Sequence, residues 1–282
     1  TEISKYFADD LAKQNLKFPD FDDPKPLFYQ LDEEEDKIFN ETIELITKKF
    51  TYARYTPFLS KYYKGSIDQL EEQSQRNMGR FMKILLVKRL ESSFFAFKKS
   101  IGRFISSYEM FIKEFKKGHV YTSKDYANKI FEYLENDDDE AIQSLIDEGK
   151  AERYDSKDFT EDFIKDLESD LNILTTIQSL WQNIKRDPKL LTFLDELSTN
   201  VILKNKIILF TESKETAEYL ATNINKKFGD ITLCFTGGSG EETRETVIDN
   251  FDAKVRHPKD DYRILVSTEV LSEGVNLHRS NV

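Results

Sequence analysis

Three short apolar runs constrain this chain more than any other feature. They are KIILF (206–210), ITLCF (231–235) and RILVST (263–268). KIILF is continuously apolar rather than alternating, as strands covered on both faces by helices are. Helical stretches separate the runs, one over 214–227 and one over 241–252. Strand–helix alternation at this spacing predicts an α/β unit with parallel strands. Glycine marks the same region. Five of the ten glycines (Gly229, Gly237, Gly238, Gly240 and Gly274) fall within 201–282.

Residues 1–200 read differently. Pro19, Pro24 and Pro26 sit among aspartates in a connector over 1–30, and KPLFYQL (25–31) reads as a short strand. Asp32 with Glu35 three residues on is a capping signal. The run Ile38, Phe39, Ile43, Ile46, Phe50 then has helical spacing and should end before Pro57. Residues 77–117 read as one long helix, with Phe81, Leu85, Leu90, Phe94, Phe97, Ile101, Ile105, Tyr108 and Ile112 three to five apart and Gly118 as its stop. From Lys83 to Lys117 nine Lys and Arg face only Glu91, Glu109 and Glu114, a net +6. Shorter helices with acidic loops are expected over 119–158, where ENDDDE (135–140) is a solvated charge run. An amphipathic helix follows over 159–186, with Phe163, Leu167, Leu171, Leu174, Ile177, Trp181 and Ile184 on one face, and Pro188 opens a short one.

Composition excludes several classes. The 282 residues carry 41 Lys and Arg against 52 Asp and Glu, a net charge of −11. Residues 201–282 hold 11 of the basic and 13 of the acidic side chains, so the acidity lies mainly in residues 1–200. With 22 Phe and 13 Tyr a sizeable core can form. The one cysteine, Cys234, excludes a disulfide framework and reads as a buried strand thiol. No apolar stretch is long enough for a membrane span and no secretory signal opens the sequence, so the expected location is cytoplasmic. The sequence contains no G-x-x-x-x-G-K-[ST], no G-x-G-x-x-G and no H-E-x-x-H, and His119, His257 and His278 are isolated, so no metal site is expected. No catalytic residue is assigned.

In open α/β sheets ligands bind beyond the carboxyl ends of the strands. TESKET (211–216), TGGSGEET (236–243) and STEVLSEGVN (267–276) occupy those positions. Each offers hydroxyls and backbone N–H groups near a helix start, a combination that binds phosphate. Gly237 and Gly238 either bring the backbone close to a phosphate or simply turn the chain.

Taken together, KIILFTESKETAEYL, LCFTGG and RILVSTEVLSEGVNL resemble motifs IV, IVa and V of the second RecA-like lobe of superfamily 2 helicases. ILVSTEVLSEGVNL is most similar to the SWI/SNF-type DNA translocases, in particular bacterial members related to the RNA-polymerase-associated ATPase and to restriction and phage-defence subunits. Upstream, LVKRLESSFFAFKKSI (86–101) resembles the inter-lobe helix of that family, and DPKLLTFLDEL (187–197) the helix before its second lobe.

The resemblance implies a helix-rich α/β fold. A linker over 1–30 would leave a first RecA-like lobe, a helical protrusion would span 31–200, and 201–282 would begin the second lobe. It implies that Glu273, Gly274 and Asn276 face the nucleotide. Thr211, Glu212, Ser213, Lys214, Thr236, Gly237, Gly238, Ser267 and Thr268 would track the nucleic-acid backbone. Lys98, Lys99 and Arg103 either contact DNA or form a solvated helix face. ATP and Mg²⁺ are the implied cofactors of the intact motor, neither held tightly by this segment, which lacks Walker A, Walker B and the arginine finger and is expected to be inactive as an ATPase. The implied partners are double-stranded DNA, the first lobe in cis, and nuclease or methylase subunits. The rival reading is a non-enzymatic helical interaction module joined to a degenerate α/β domain.

Overall fold

The computed structural model describes residues 23–122, 152–268, 277 and 279–280. Two hydrophobic assemblies organise them: a helical unit and a three-layered α/β unit.

Helix α1 (Glu33–Glu44) opens as its sequence predicts. Asp32 accepts from the Glu35 N–H at 2.8 Å, and Glu35 accepts from the Asp32 N–H at 3.0 Å. One π-helical turn (Leu45–Lys49) ends it before Phe50. The long basic stretch is two helices, α2 (Gln69–Ser92) and α3 (Phe94–Lys116). Ser93 breaks it: its backbone is extended, and its hydroxyl accepts from the Ala96 N–H at 3.0 Å to cap α3. The apolar spacing runs on across the break, which is why a single helix was expected. Gly118 stops α3 at φ 94°, a left-handed conformation that glycine takes without strain. Helix α4 (Glu161–Trp181) packs along α3. Met82, Leu86, Leu90, Phe97, Ile101, Tyr108, Phe163, Leu167, Leu174 and Trp181 form the core, and the Trp181 indole donates to Thr42 Oγ1 at 2.8 Å.

Two local expectations are corrected. KPLFYQL has no regular secondary structure, and Leu27 and Phe28 are exposed; Pro26 removes a backbone donor from a run already short for pairing. At the two ends of the 119–158 stretch, residues 119–122 and 152–155 form strands rather than helices, while 123–151, where the shorter helices are expected, lie outside the described residues. β1 (His119–Thr122) pairs antiparallel with β2 (Glu152–Asp155), Val120 opposite Tyr154. Val120 is buried and Tyr154 packs against the helical core, so a sheet face, not a helical one, covers it. Residues 135–140 lie outside the described residues.

Asp187 caps α5 (Pro188–Thr199), with Pro188 in its first turn. Then come β3 (Ile207–Phe210), α6 (Lys214–Phe228), β4 (Thr232–Phe235), α7 (Glu241–Phe251) and β5 (Ile264–Ser267). The sheet is parallel in the order β3-β5-β4, within a residue of the expected boundaries. Alternation along β5 builds two layers. Ile264 and Val266 join α5 and α6 through Leu190, Leu194, Leu197, Ala217, Ala221 and Ile224. Leu265 faces Val247 and Phe251 of α7. Helix α5 therefore packs with the sheet. A helix-rich α/β molecule with a three-stranded parallel sheet is the architecture of a partial RecA-like domain. Among the described residues no helix is long and apolar enough to cross a membrane.

Candidate nucleic-acid interface at the carboxyl edge of the sheet

Parallel register lines up the three strand ends. Phe210, Ser267 and Phe235 are neighbours across β3, β5 and β4, so Thr211, Thr268 and Thr236 form a row of hydroxyl residues one position beyond. The pairing continues into the row: the Thr211 N–H donates to the Ser267 carbonyl at 3.0 Å, and the Thr268 N–H to that of Phe235 at 3.4 Å.

Behind this row the polar groups are largely committed to local structure. Ser213 is buried and caps α6, accepting from the Thr216 N–H at 3.3 Å. The Ser213 N–H donates to Thr211 Oγ1 at 3.4 Å. Ser267 is fully buried and its hydroxyl donates to the Thr268 carbonyl at 2.8 Å. The next loop is a closed turn: the Thr236 N–H donates to Ser239 Oγ and the Ser239 N–H to the Thr236 carbonyl, both at 2.9 Å. Gly237 and Gly238 stand exposed at its tip. Lys214 reaches across to it from α6, because a Cβ at Gly238 would lie 3.2 Å from Lys214 Nζ. Glycine thus lets the ammonium lie against the turn, joining the first two loops. Cys234, behind the turn, is half-buried, and burial pushes its thiol up to about 11, so it stays protonated near neutral pH.

Lys98, Lys99 and Arg103, the three candidates on α3, go different ways. Lys98 is half-buried and donates to the Ile184 carbonyl, and burial lowers its ammonium below the usual lysine range. Lys99 is exposed, 4.9 Å over the Phe95 ring. Arg103 meets both carboxylate oxygens of Glu215, with NH2 at 3.2 Å from Oε2, and also donates to Ser100 Oγ at 3.0 Å. Lys88 and Glu212 pair in solvent at 3.2 Å. Sequence reasoning did not single out Glu215, Thr216 or Tyr219 for a role. Glu215 and its partner are 112 residues apart, and no local pattern marks such a pair. Glu273, Gly274 and Asn276 lie outside the described residues.

Lys189, next to the start of α5, donates to the carbonyls of Glu91 and Ser92 at 2.7 and 3.1 Å. Tyr219 donates to Asp187 Oδ2 at 3.2 Å, and burial, reinforced by the neighbouring Asp187 carboxylate, raises its phenol above the usual range. Between these groups and β3 lies a cavity of about 360 Å³ reaching Phe210 and Thr211.

Residues 189–282 match the family of helicase conserved C-terminal domains. The match covers about a third of the chain and supports a superfamily 2 helicase C-terminal lobe there. No curated protein and no solved structure matches the chain. The stretch matching the helicase C-terminal domain begins within α5, the helix whose leucines pack under the sheet, and it takes in all three edge loops.

Proposed function

We propose that this chain is part of an ATP-dependent DNA translocase of the SWI/SNF type, working on double-stranded DNA in a bacterial restriction or phage-defence system. The observation that carries the reading is the row Thr211, Thr268 and Thr236 at one sheet edge, with Lys214 laid against Gly238, inside a stretch that matches helicase C-terminal domains. Half-buried Thr211 and Thr268, the exposed turn amides and the Lys214 ammonium suit a phosphate backbone, which such groups position without reading sequence. Lys99 would extend the contact onto α3. ATP with Mg²⁺ is the proposed cofactor, facing Glu273, Gly274 and Asn276. A first RecA-like lobe and nuclease or methylase subunits are the proposed partners, in the cytoplasm.

Binding of a labelled duplex, followed by fluorescence anisotropy over a salt series, tests this. Affinity should fall as salt rises, and Lys214→Ala should reduce the slope of log K against log salt by about one. An unchanged slope in both Lys214→Ala and Lys99→Ala would remove this edge from the interface. The second reading, a non-enzymatic interaction module, draws on Lys88, Lys98 and Arg103 being engaged within the chain. It requires that the chain show no salt-dependent duplex affinity.

A further inference from the structure

The loop that leads the sheet edge is held from behind by the helical unit. Residues 212, 215, 216 and 219 of α6 and the turn before it face α2 and α3. Glu212 meets Lys88. The Thr216 hydroxyl lies 2.9 Å from Ser92 Oγ and donates to Ser93 Oγ at 3.3 Å. Tyr219 stacks on Phe95 at 4.7 Å between centroids and 6° between planes. In the middle is the two-pronged contact of Arg103 with Glu215, whose side chains are 30% and 9% exposed.

We infer that Arg103 is a positioning residue for the nucleic-acid edge, acting through Glu215 rather than on phosphate. This rests on the reading of the edge given above. Both oxygens of Glu215 face the guanidinium, and a further guanidinium contact goes to Ser100 Oγ. A planar fork matched to a carboxylate fixes direction as well as distance, which a lysine cannot do. Glu215 is the second residue of α6, two after the Ser213 cap, so its position sets the first turn and with it Thr211–Lys214. The same helix break that Ser93 creates receives Thr216, so the end of α2, the start of α3 and the start of α6 form one polar joint.

The alternative makes an opposite prediction. If Arg103 contacted phosphate, Glu215 would compete with the DNA, and neutralising Glu215 would strengthen binding. If Arg103 positions the loop, Glu215→Gln weakens binding even though it removes a negative charge. The experiment measures duplex affinity over a salt series for the full chain and for Arg103→Gln, Glu215→Gln, Arg103→Lys and the Arg103→Gln/Glu215→Gln pair. Each Gln variant should lose about tenfold, the pair no more than either alone, and Arg103→Lys should recover only part. The salt slope should stay unchanged, because no phosphate contact is lost. Tighter binding by Glu215→Gln, or a slope reduced by about one in Arg103→Gln, overturns the inference. Amide hydrogen exchange gives a readout without DNA: exchange over 214–217 should quicken in both Gln variants while α4 stays protected. Unchanged exchange there also overturns it. A duplex that fails to bind the unaltered chain overturns the functional reading instead, and the exchange result still decides the joint.

Discussion

Asp170, on α4, is fully buried and accepts four hydrogen bonds. They come from the Thr51 N–H at 2.7 Å, the Thr51 hydroxyl at 3.0 Å, the Ala53 N–H at 2.9 Å and the Tyr108 hydroxyl at 3.0 Å. Tyr52 adopts φ 60° and ψ 30° between the two amides that converge on the carboxylate. A non-glycine residue there is strained and persists because its surroundings hold it. Asp170→Asn keeps one acceptor oxygen and turns donors toward donors, so it should cost about 3 kcal/mol in urea unfolding. Burial outweighs these hydrogen bonds and pushes the carboxyl up to about 6. The folded protein therefore holds a proton between about pH 4 and 6 that the unfolded chain releases. This group's contribution to stability should fall as pH rises through that window, and the fall should be absent in Asp170→Asn.

Among the elements, β5 and β3 show how position in a sheet sets cost. All four residues of the central β5 are buried, whereas Phe210 at the end of β3 is 59% exposed. Leu265 is the β5 side chain that meets Val247 and Phe251 under α7. Leu265→Ala leaves a cavity there and should cost about 3 kcal/mol. Phe210→Ser should change stability by no more than about 0.5 kcal/mol, both variants being read by urea unfolding. Equal losses at the two positions would contradict the strand order β3-β5-β4.

At the scale of the whole molecule, the joint around α6 decides whether two hydrophobic assemblies behave as one body. Among the described residues it combines polar contacts with the Phe95–Tyr219 stack, where aromatic pairing adds about 1 kcal/mol beyond buried area. Phe95→Ala should separate calorimetric unfolding into two transitions, one from the helical unit and one from the α/β unit. A single transition of unchanged width would show that the remaining contacts suffice. The net charge of −11 does not oppose a polyanion at the sheet edge, since the acidic excess sits mainly in residues 1–200 and Lys214 and Lys99 present their charge locally.

By itself the sequence determined what depends on short-range pattern. Continuous apolar runs located β3, β4 and β5, helical periodicity located α1, α4, α6 and α7, and the Asp32–Glu35 spacing located a capping box. The loops of the candidate edge were legible as segments, because hydroxyls and glycines directly follow strands. Only the tertiary structure decided what joins distant parts. The Ser93 break was invisible because apolar spacing continues across it, and the pairing of β1 with β2 spans the acidic run. Register across three strands was needed to bring Thr211, Thr268 and Thr236 into one row. The basic stripe of α3 looked uniform in sequence, yet folding sends Lys98 to a backbone carbonyl, Arg103 to Glu215 and Lys99 to solvent. Propensity and periodicity act over a turn or two of chain, whereas partners for a charge are chosen by packing.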